Sequence, residues 1–259
     1  MTAAVGGLNP RPLDGKVAIV TGGSRGLGRE IALGFAGAGA SIVVASRNSD
    51  ACRAVVDEIR EATGQRAEPY VVHVGHWSEL SGLVDFAGEE FGRLDILVNN
   101  AGLSPTYGSL AEVSEELFDK VIAVNVKGPF RLSALAGERM IAGGGGAIIN
   151  ISTTGSLHGE PVALPYTAAK AALNNVTEGF ARSLGPTVRV NAILAGPFLT
   201  DIAKHWDMEA FEADARGYPL RRAGQPNEIV GAAVYLASDA ASFTTGALLT
   251  VDGGQRFGR

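Results

Sequence analysis

The stretch Ile19-Val20-Thr21-Gly22-Gly23-Ser24-Arg25-Gly26-Leu27-Gly28 decides the fold of this chain. The apolar run 17–20 predicts a buried strand, and behind the glycines the apolar residues fall at helical spacing. A strand, a tight glycine turn and a helix N-terminus together form a site for a dinucleotide pyrophosphate. The glycines let the backbone approach the phosphates, and the free N–H groups of the helix face the anion. The pattern also fits an ordinary β–α turn, because the chain contains 35 glycines.

The length allows one large domain or two small ones, and the composition is that of a soluble α/β protein. The chain has 259 residues, 46% of them hydrophobic, and a net charge of −5. The absence of a basic stripe argues against nucleic acid or an anionic membrane as a partner. Residues 1–13 lack the features of a signal peptide and predict a flexible tail. The single cysteine, Cys52, is typical of a reducing compartment, so we expect a cytoplasmic protein without a membrane span.

From residue 14 onward, predicted strands and helices alternate. This rhythm, with its near-continuous apolar strands, predicts a single α/β domain over 14–259, a doubly wound, mostly parallel seven-stranded sheet with helices on both faces. An irregular stretch, 199–224, interrupts the rhythm and predicts a lid over a substrate pocket. The strands are predicted at 17–20, 41–45, 70–74, 95–98, 147–151, 188–193 and 247–251, and the helices at 25–38, 49–63, 79–91, 114–141, 165–183 and 227–237.

The end of the second strand indicates which dinucleotide binds. In such folds an acidic residue there holds the ribose hydroxyl of NAD, whereas a basic residue accommodates the 2′-phosphate of NADP. This chain has Ser46-Arg47-Asn48 and no carboxylate, and Arg25 lies in the glycine turn. A guanidinium can bond a phosphate as a fork. The sequence therefore favours NADP(H), unless both arginines are merely solvated surface residues.

Tyr166 and Lys170 stand four residues apart on a predicted helix, so they share one face. A phenol has a pKa near 10, and a nearby ammonium together with a cationic nicotinamide ring favours the phenolate and lowers that pKa. Tyr166 then suits a general acid for carbonyl reduction. The alternative is an interfacial tyrosine beside a surface lysine.

These motifs together resemble the short-chain dehydrogenase/reductase family, over nearly the whole chain from Gly15 to Gly254. The resemblance implies a Rossmann-type fold, an oxidoreductase acting on a small molecule, and a homotetramer. The motifs follow the family's order: Thr21-Gly22-x-x-x-Gly26-x-Gly28, Asn99-Asn100-Ala101-Gly102, Asn125, Tyr166-x-x-x-Lys170 and Arg189-Val190-Asn191.

The resemblance also implies residue roles. Tyr166 is the proton donor, and Lys170 lowers its pKa and bonds the nicotinamide ribose. Asn125 holds a water that relays protons through Lys170; on its own it would be an ordinary helix-face amide. Thr200 bonds the carboxamide. The implied cofactor-binding residues are Gly22, Ser24, Arg25, Gly26, Leu27, Gly28, Ser46, Arg47, Asn48, His73, Val74, Asn100, Ala101, Gly102, Tyr166, Lys170, Gly196, Phe198 and Thr200.

Three positions depart from the family's pattern. The catalytic serine falls on Thr153, with Ser152 as the neighbouring alternative; we favour Thr153 because only one of two successive strand residues faces the site. His73-Val74 replaces Asp-Val; either a neutral histidine nitrogen accepts from the adenine amine, or the contact passes to the backbone. The Pro-Gly turn reads Ala195-Gly196-Pro197.

The substrate is the least determined part of the sequence. The lid stretch holds Ile202, Trp206, Met208, Phe211 and Tyr218, which favours a partly apolar substrate. A carrier-protein substrate ranks below free ketones, sugars or steroid-like alcohols, because 143–146 and 185–186 carry no basic residues. A cofactor-binding regulatory or scaffold protein and an epimerase or dehydratase are the alternative functions.

No metal-ligand spacing is present. The lid acids Asp201, Asp207, Glu209, Glu212 and Asp214 predict a solvated helix face.

Overall fold

The computed structural model describes residues 9–201 and 208–257. Its seven strands form one sheet in the order β3-β2-β1-β4-β5-β6-β7, and every neighbouring pair is parallel. The predicted doubly wound parallel sheet is therefore confirmed. The strands are β1 (Val17–Thr21), β2 (Ser41–Ser46), β3 (Ala67–Val71), β4 (Ile96–Asn99), β5 (Gly146–Thr153), β6 (Val188–Ala195) and β7 (Leu248–Val251).

Helices cover both faces of this sheet. One core contains the apolar sides of α1, α2 and α8, and the other contains those of α3, α5 and α6. Successive strand residues serve opposite cores, as Ala18 and Ile19 do, which is why the strands are apolar throughout. The helices are α1 (Gly26–Gly37), α2 (Ser49–Thr63), α3 (Leu80–Phe91), α4 (Glu115–Ile122), α5 (Gly128–Ala142), α6 (Leu164–Leu184), α7 (Met208–Ala215) and α8 (Val230–Ala237).

The third strand lies three residues earlier than the sequence predicts. β3 covers Ala67–Val71 rather than 70–74, and its register pairs Ala67 with Ile42 and Val71 with Ser46. The strand includes Pro69, which is tolerated because β3 is an edge strand. His73 and Val74 consequently follow the strand, at the carboxyl edge of the sheet.

The predicted helix 114–141 contains a turn that its spacing does not reveal. Residues Ala123–Lys127 form a π-helical segment between α4 and α5, with Asn125 at its centre. Such segments are rare and occur frequently at functional sites.

The last residue of the predicted N-terminal tail packs into the core. Residues 1–8 lie outside the described part of the chain, while Leu13, at the end of the predicted tail, is fully buried and donates its N–H to Ala38 O at 3.0 Å. Across 9–201 and 208–257, none of the helices combines the length and the apolar character that crossing a membrane requires.

Candidate active site

A cavity of about 720 Å³ opens at the carboxyl ends of the strands, around the point where the strand order reverses between β1 and β4. Ligands bind at this position in doubly wound sheets. Most of the predicted site residues line it: Gly22, Ser24, Arg25, Gly26, Leu27, Ser46, Arg47, His73, Val74, Asn100, Ala101, Gly102, Ser152, Thr153, Tyr166, Lys170, Gly196, Phe198 and Thr200.

The glycine turn is tied to the end of β4. Asn100 donates its side-chain N–H to Thr21 O at 2.9 Å, and Thr21 Oγ1 accepts from the backbone N–H of Asn100 at 3.0 Å. Gly22 and Gly26 have φ of 64° and 54°, in the left-handed region that favours glycine. The turn is thus held in the form that exposes its backbone to a phosphate.

Two predicted cofactor residues do not line the cavity. Gly28 is buried in α1, where a Cβ would lie 2.3 Å from Asn100 Nδ2 and 2.4 Å from Gly22 O, so its role is close packing. Asn48 caps α2 by accepting from Ala51 N at 2.9 Å. Gly28 and Asn48 therefore stabilise the helices next to the cavity without lining it.

Arg25 and Arg47 are exposed at the cofactor end of the cavity. Within the described residues neither has a carboxylate partner, whereas Arg29 is bound by Glu58. Ser24 Oγ donates to Ser46 Oγ at 2.9 Å beside them. Two such guanidinium groups next to hydroxyls suit a phosphate dianion.

The His73 ring presents a hydrogen-bond donor to the cavity instead of the expected acceptor, because its acceptor nitrogen is already used within the chain. Its Nδ1 accepts from Gly75 N at 3.1 Å, and its ring stacks on that of His76 with centroids 4.5 Å apart. Burial, followed by His76 and Arg47, lowers the pKa of His73 and keeps the ring neutral. The proton of a neutral ring bonded in this way resides on Nε2, which suits an adenine ring nitrogen and not the adenine amine.

Tyr166 and Lys170 meet at the centre of the cavity. Lys170 Nζ lies 5.8 Å from the centre of the Tyr166 ring and donates to Ile151 O at 2.7 Å. Burial raises the pKa of Tyr166 to about 12 and lowers that of Lys170 to about 8. Burial is the cause of the raised Tyr166 pKa, and the lowering expected from Lys170 together with a cationic nicotinamide ring stays a prediction.

At the end of β5, the hydroxyls of Ser152 and Thr153 differ in burial and in hydrogen bonding. Ser152 is 2% exposed and donates to Lys170 O at 3.4 Å. Thr153 is half-buried on the cavity wall, and its Oγ1 accepts from Gly155 N at 3.3 Å. The hydroxyl proton of Thr153 therefore remains available for a substrate oxygen, which favours Thr153 over Ser152.

Asn125 lies behind the cavity wall and is fully buried. Its Nδ2 donates to Leu103 O and Val121 O at 2.8 and 2.9 Å, and its Oδ1 accepts from Leu103 N at 3.3 Å. A Cβ on Gly102 would lie 3.2 Å from Asn125 Oδ1 and 3.7 Å from Lys170 Nζ. A methyl group at position 102 would occupy the space between these two side chains.

The end of the cavity beyond Tyr166 combines residues of the predicted lid with Thr154 and Gln255, to which the sequence does not point. Thr154 Oγ1 donates to Gln255 Oε1 at 2.9 Å, and Asp214 accepts from the hydroxyl of Tyr218. Gln255 follows β7 and carries no local signal, so only the folded chain reveals it. Asp214 lines the cavity and is exposed, which agrees with the solvated face predicted for it. Beside it, Phe211 of α7 and Tyr218 pack edge to face. Ile202, His205, Trp206 and Asp207 lie outside the described residues.

Comparison with known proteins agrees with this geometry. The family model described as enoyl-(acyl carrier protein) reductase matches residues 22–256. The 7α-hydroxysteroid dehydrogenase of Escherichia coli is 40% identical over 247 residues, which cover 93% of this chain and 94% of that protein.

Solved structures are similar as well. A 7α-hydroxysteroid dehydrogenase complexed with NADH and 7-oxo glycochenodeoxycholic acid has a TM-score of 0.90 and 39% identity, covering 95% and 96% of the two chains. A protein from Beutenbergia cavernae, assigned as an NAD(P)-dependent gluconate 5-dehydrogenase and holding NADP, has a TM-score of 0.90 and 35% identity over 96% and 99%. This chain belongs to the short-chain dehydrogenase/reductase family, and it is an oxidoreductase acting on CH–OH groups.

Proposed function

We propose that the protein is an NADP(H)-dependent carbonyl reductase, or alcohol dehydrogenase in the reverse direction, for a small-molecule substrate. The observation that carries this proposal is the convergence of Tyr166, Lys170 and Thr153 in the cavity that the glycine turn also lines. The residues fit a nicotinamide dinucleotide, because the positive-φ glycines expose backbone N–H groups and two arginines lie beside them.

When bound, the nicotinamide supplies or accepts the hydride. The Thr153 hydroxyl donates to the substrate carbonyl oxygen, and Tyr166 delivers a proton to the same oxygen as negative charge develops there. A Tyr166 pKa raised by burial keeps the phenol protonated and ready for reduction. In oxidation, Lys170 and the positive charge of the oxidised cofactor together favour the phenolate. We assign to Asn125 the task of fixing the 102–103 backbone beside Lys170, where a relay water would sit.

Preference for NADP(H) over NAD(H) is supported by Arg25 and Arg47, and by the lack of a carboxylate at the end of β2. The related structures divide on this point, since one holds NADH and another NADP. The proposed preference for NADP(H) over NAD(H) therefore rests on Arg25 and Arg47 of this chain. A 2′-phosphate beside two guanidinium groups gains charge-assisted hydrogen bonds that a ribose hydroxyl does not.

The substrate class follows from the walls beyond Tyr166. Val162, Ala163 and Phe211 are apolar, and we keep the assignment of 199–224 as a lid, of which Thr200, Asp201, Phe211, Asp214 and Tyr218 line the cavity. A ketone with an apolar body fits these walls, and a hydroxysteroid-like alcohol is one such class, as in the related dehydrogenases. We also propose a cytoplasmic homotetramer, with exposed aromatic side chains on α4 and α5 as one contact face.

The first experiment measures loss of NADPH absorbance with ketones, aldehydes, keto sugars, keto steroids and a β-ketoacyl thioester, with NADH in parallel. We expect turnover of at least one ketone class with NADPH. Tyr166→Phe should lower kcat about 10²- to 10⁴-fold, because the general acid is removed, and should leave the Kd for NADPH nearly the same.

Tyr235→Phe is the matched control, because Tyr235 is partly exposed and lies outside the cavity. Normal turnover by Tyr166→Phe would contradict the proposed acid. A preference for NADH would contradict the role of Arg25 and Arg47 alone. Tight NADPH binding without turnover of any compound would favour the regulatory or scaffold protein.

A further inference from the structure

The two ends of the cavity carry opposite charge. Arg25 and Arg47 lie at the cofactor end, and Lys170 is the only other lysine or arginine among the described residues that line the cavity. The carboxylates of Glu160 and Asp214 lie at the end beyond Tyr166, and Asp201 lines the wall beside Thr200. A substrate entering beyond Tyr166 therefore meets negative charge.

Asp214 is held in place and retains acceptor capacity. It accepts the hydroxyl proton of Tyr218, whereas a carboxylate can accept about four hydrogen bonds in all. Burial, then Asp214, and more weakly Glu160, raise the pKa of Tyr218 to about 12. The Tyr218 hydroxyl therefore stays protonated and keeps donating to Asp214, and Glu160 lines the same cavity.

The neutral groups at this end do not compensate the charge. Gln255 Oε1 accepts from Thr154, and Gln255 Nε2 lies 3.5 Å from the Tyr218 oxygen. Glu160 Oε1 lies 3.4 Å from His158 Nε2 at the rim of the cavity. None of these contacts places a lysine or an arginine beside Glu160 or Asp214.

We propose that the cavity selects its substrate by charge: it takes ketones and alcohols whose remote end is a cationic amine or an uncharged hydrogen-bond donor, and it discriminates against those with a remote carboxylate. The inference rests on the proposed carbonyl reductase function and narrows its substrate class. An ammonium group near two carboxylates gains Coulomb energy, and a carboxylate there is repelled.

The test compares three ketones with one ring: 4-methylcyclohexanone, 4-aminocyclohexanone and 4-oxocyclohexanecarboxylate, each with NADPH at pH 7.5 and low salt. We expect kcat/KM for the amine to exceed that for the carboxylate about tenfold, with most of the difference in KM. Because the carboxylates are partly exposed, the ratio should fall as salt is raised from about 0.01 to about 0.5 M.

The double variant Asp214→Asn with Glu160→Gln removes both charges while preserving side-chain size. The amine-to-carboxylate ratio should then fall to about twofold, with the rate on the methyl ketone used to normalise each protein. Glu212→Gln is the matched control, since Glu212 is an exposed acid on α7 that does not line the cavity, and it should keep the wild-type ratio.

The possible outcomes separate the two proposals. Reduction of all three ketones with equal kcat/KM, or a preference for the carboxylate, would overturn the charge selection and leave the reductase function intact. A ratio that stays unchanged in the double variant would also overturn it, because the charge would then come from elsewhere. If the wild-type protein binds NADPH and reduces none of the panel or of these three ketones, both proposals fail.

Discussion

At the scale of single residues, burying the Lys170 ammonium in the candidate site lowers the stability of the folded protein. Its side chain is buried, with the residue 2% exposed, and its ammonium donates a hydrogen bond to Ile151 O. Burial lowers its pKa from 10.5 to about 8. The unfolded chain therefore binds this proton more tightly, and the free energy of unfolding rises with pH between about 8 and 10.5. One pKa unit corresponds to about 1.4 kcal/mol, so below pH 8 the buried ammonium lowers the free energy of unfolding by about 3 kcal/mol.

Replacing Lys170 by methionine should therefore stabilise the protein near neutral pH. Allowing for the lost hydrogen bond to Ile151, we expect a gain of about 2 kcal/mol at pH 7, or a Tm higher by about 4–8 °C. The gain should shrink as pH approaches 10.5, where the wild-type lysine is neutral in the folded state. Thermal unfolding followed by circular dichroism at pH 7 and pH 10 measures both values.

Lys120→Met is the control for that change, because Lys120 is exposed on α4. It should shift Tm little, and equally at both pH values. A Lys170→Met variant that is less stable than wild type at pH 7, or whose advantage is independent of pH, would contradict the burial penalty.

At the scale of an element, the β1–α1 unit depends on one close approach. Gly28 brings α1 against the carbonyl of Gly22 and the amide of Asn100, and no Cβ fits between them. Gly37, at the other end of the same helix, is exposed, and a methyl group added there would have no neighbouring atom within 4 Å. The two glycines therefore differ in whether their lack of a side chain is needed.

Gly28→Ala should destabilise the protein by about 2–3 kcal/mol and weaken NADPH binding, because the added methyl pushes α1 away from the glycine turn. Gly37→Ala should instead be neutral or stabilising by up to about 1 kcal/mol, since alanine restricts the unfolded chain. Urea unfolding and NADPH titration measure the two effects. Equal behaviour of the two variants would show that the close approach is not needed.

Elements also show where sequence patterns mislead. The apolar pattern predicts the third strand at 70–74, but pairing with β2 sets β3 at Ala67–Val71 and leaves His73 beyond the strand. The π-helical segment around Asn125 interrupts a helix whose apolar spacing is continuous. Both features depend on packing against neighbouring elements, which local patterns do not contain.

At the scale of the whole molecule, exposed aromatic side chains lie on the helices proposed as a tetramer contact, Phe118 on α4 and Phe130 on α5. Trp77 and Phe130 are stacked with ring centroids 6.4 Å apart and are 43% and 44% exposed, and Phe118 is 45% exposed. Phe243, just before β7, is fully exposed. Large apolar side chains grouped on a surface mark interaction sites more often than isolated ones do.

Sedimentation equilibrium should therefore give a mass near four times 26.7 kDa, about 107 kDa. Phe130→Asp should shift the mass towards smaller species, because a charge placed in an apolar contact is left unpaired. Val71→Asp, a change to an exposed valine on the edge strand β3, should keep the wild-type mass. A monomeric wild-type protein at micromolar concentration would contradict the tetramer.

The sequence alone determined the alternation of strands and helices, the glycine turn and the shared face of Tyr166 and Lys170, because these features depend on residues within a few positions of one another. It also pointed to Arg25 and Arg47, which flank the ends of the first two strands. Only the tertiary structure decided that Gln255, Thr154 and Asp214 meet beyond Tyr166, since these residues lie far apart in the chain. Burial likewise raised the pKa of Tyr166, and burial is a property of the packed molecule that no local motif encodes.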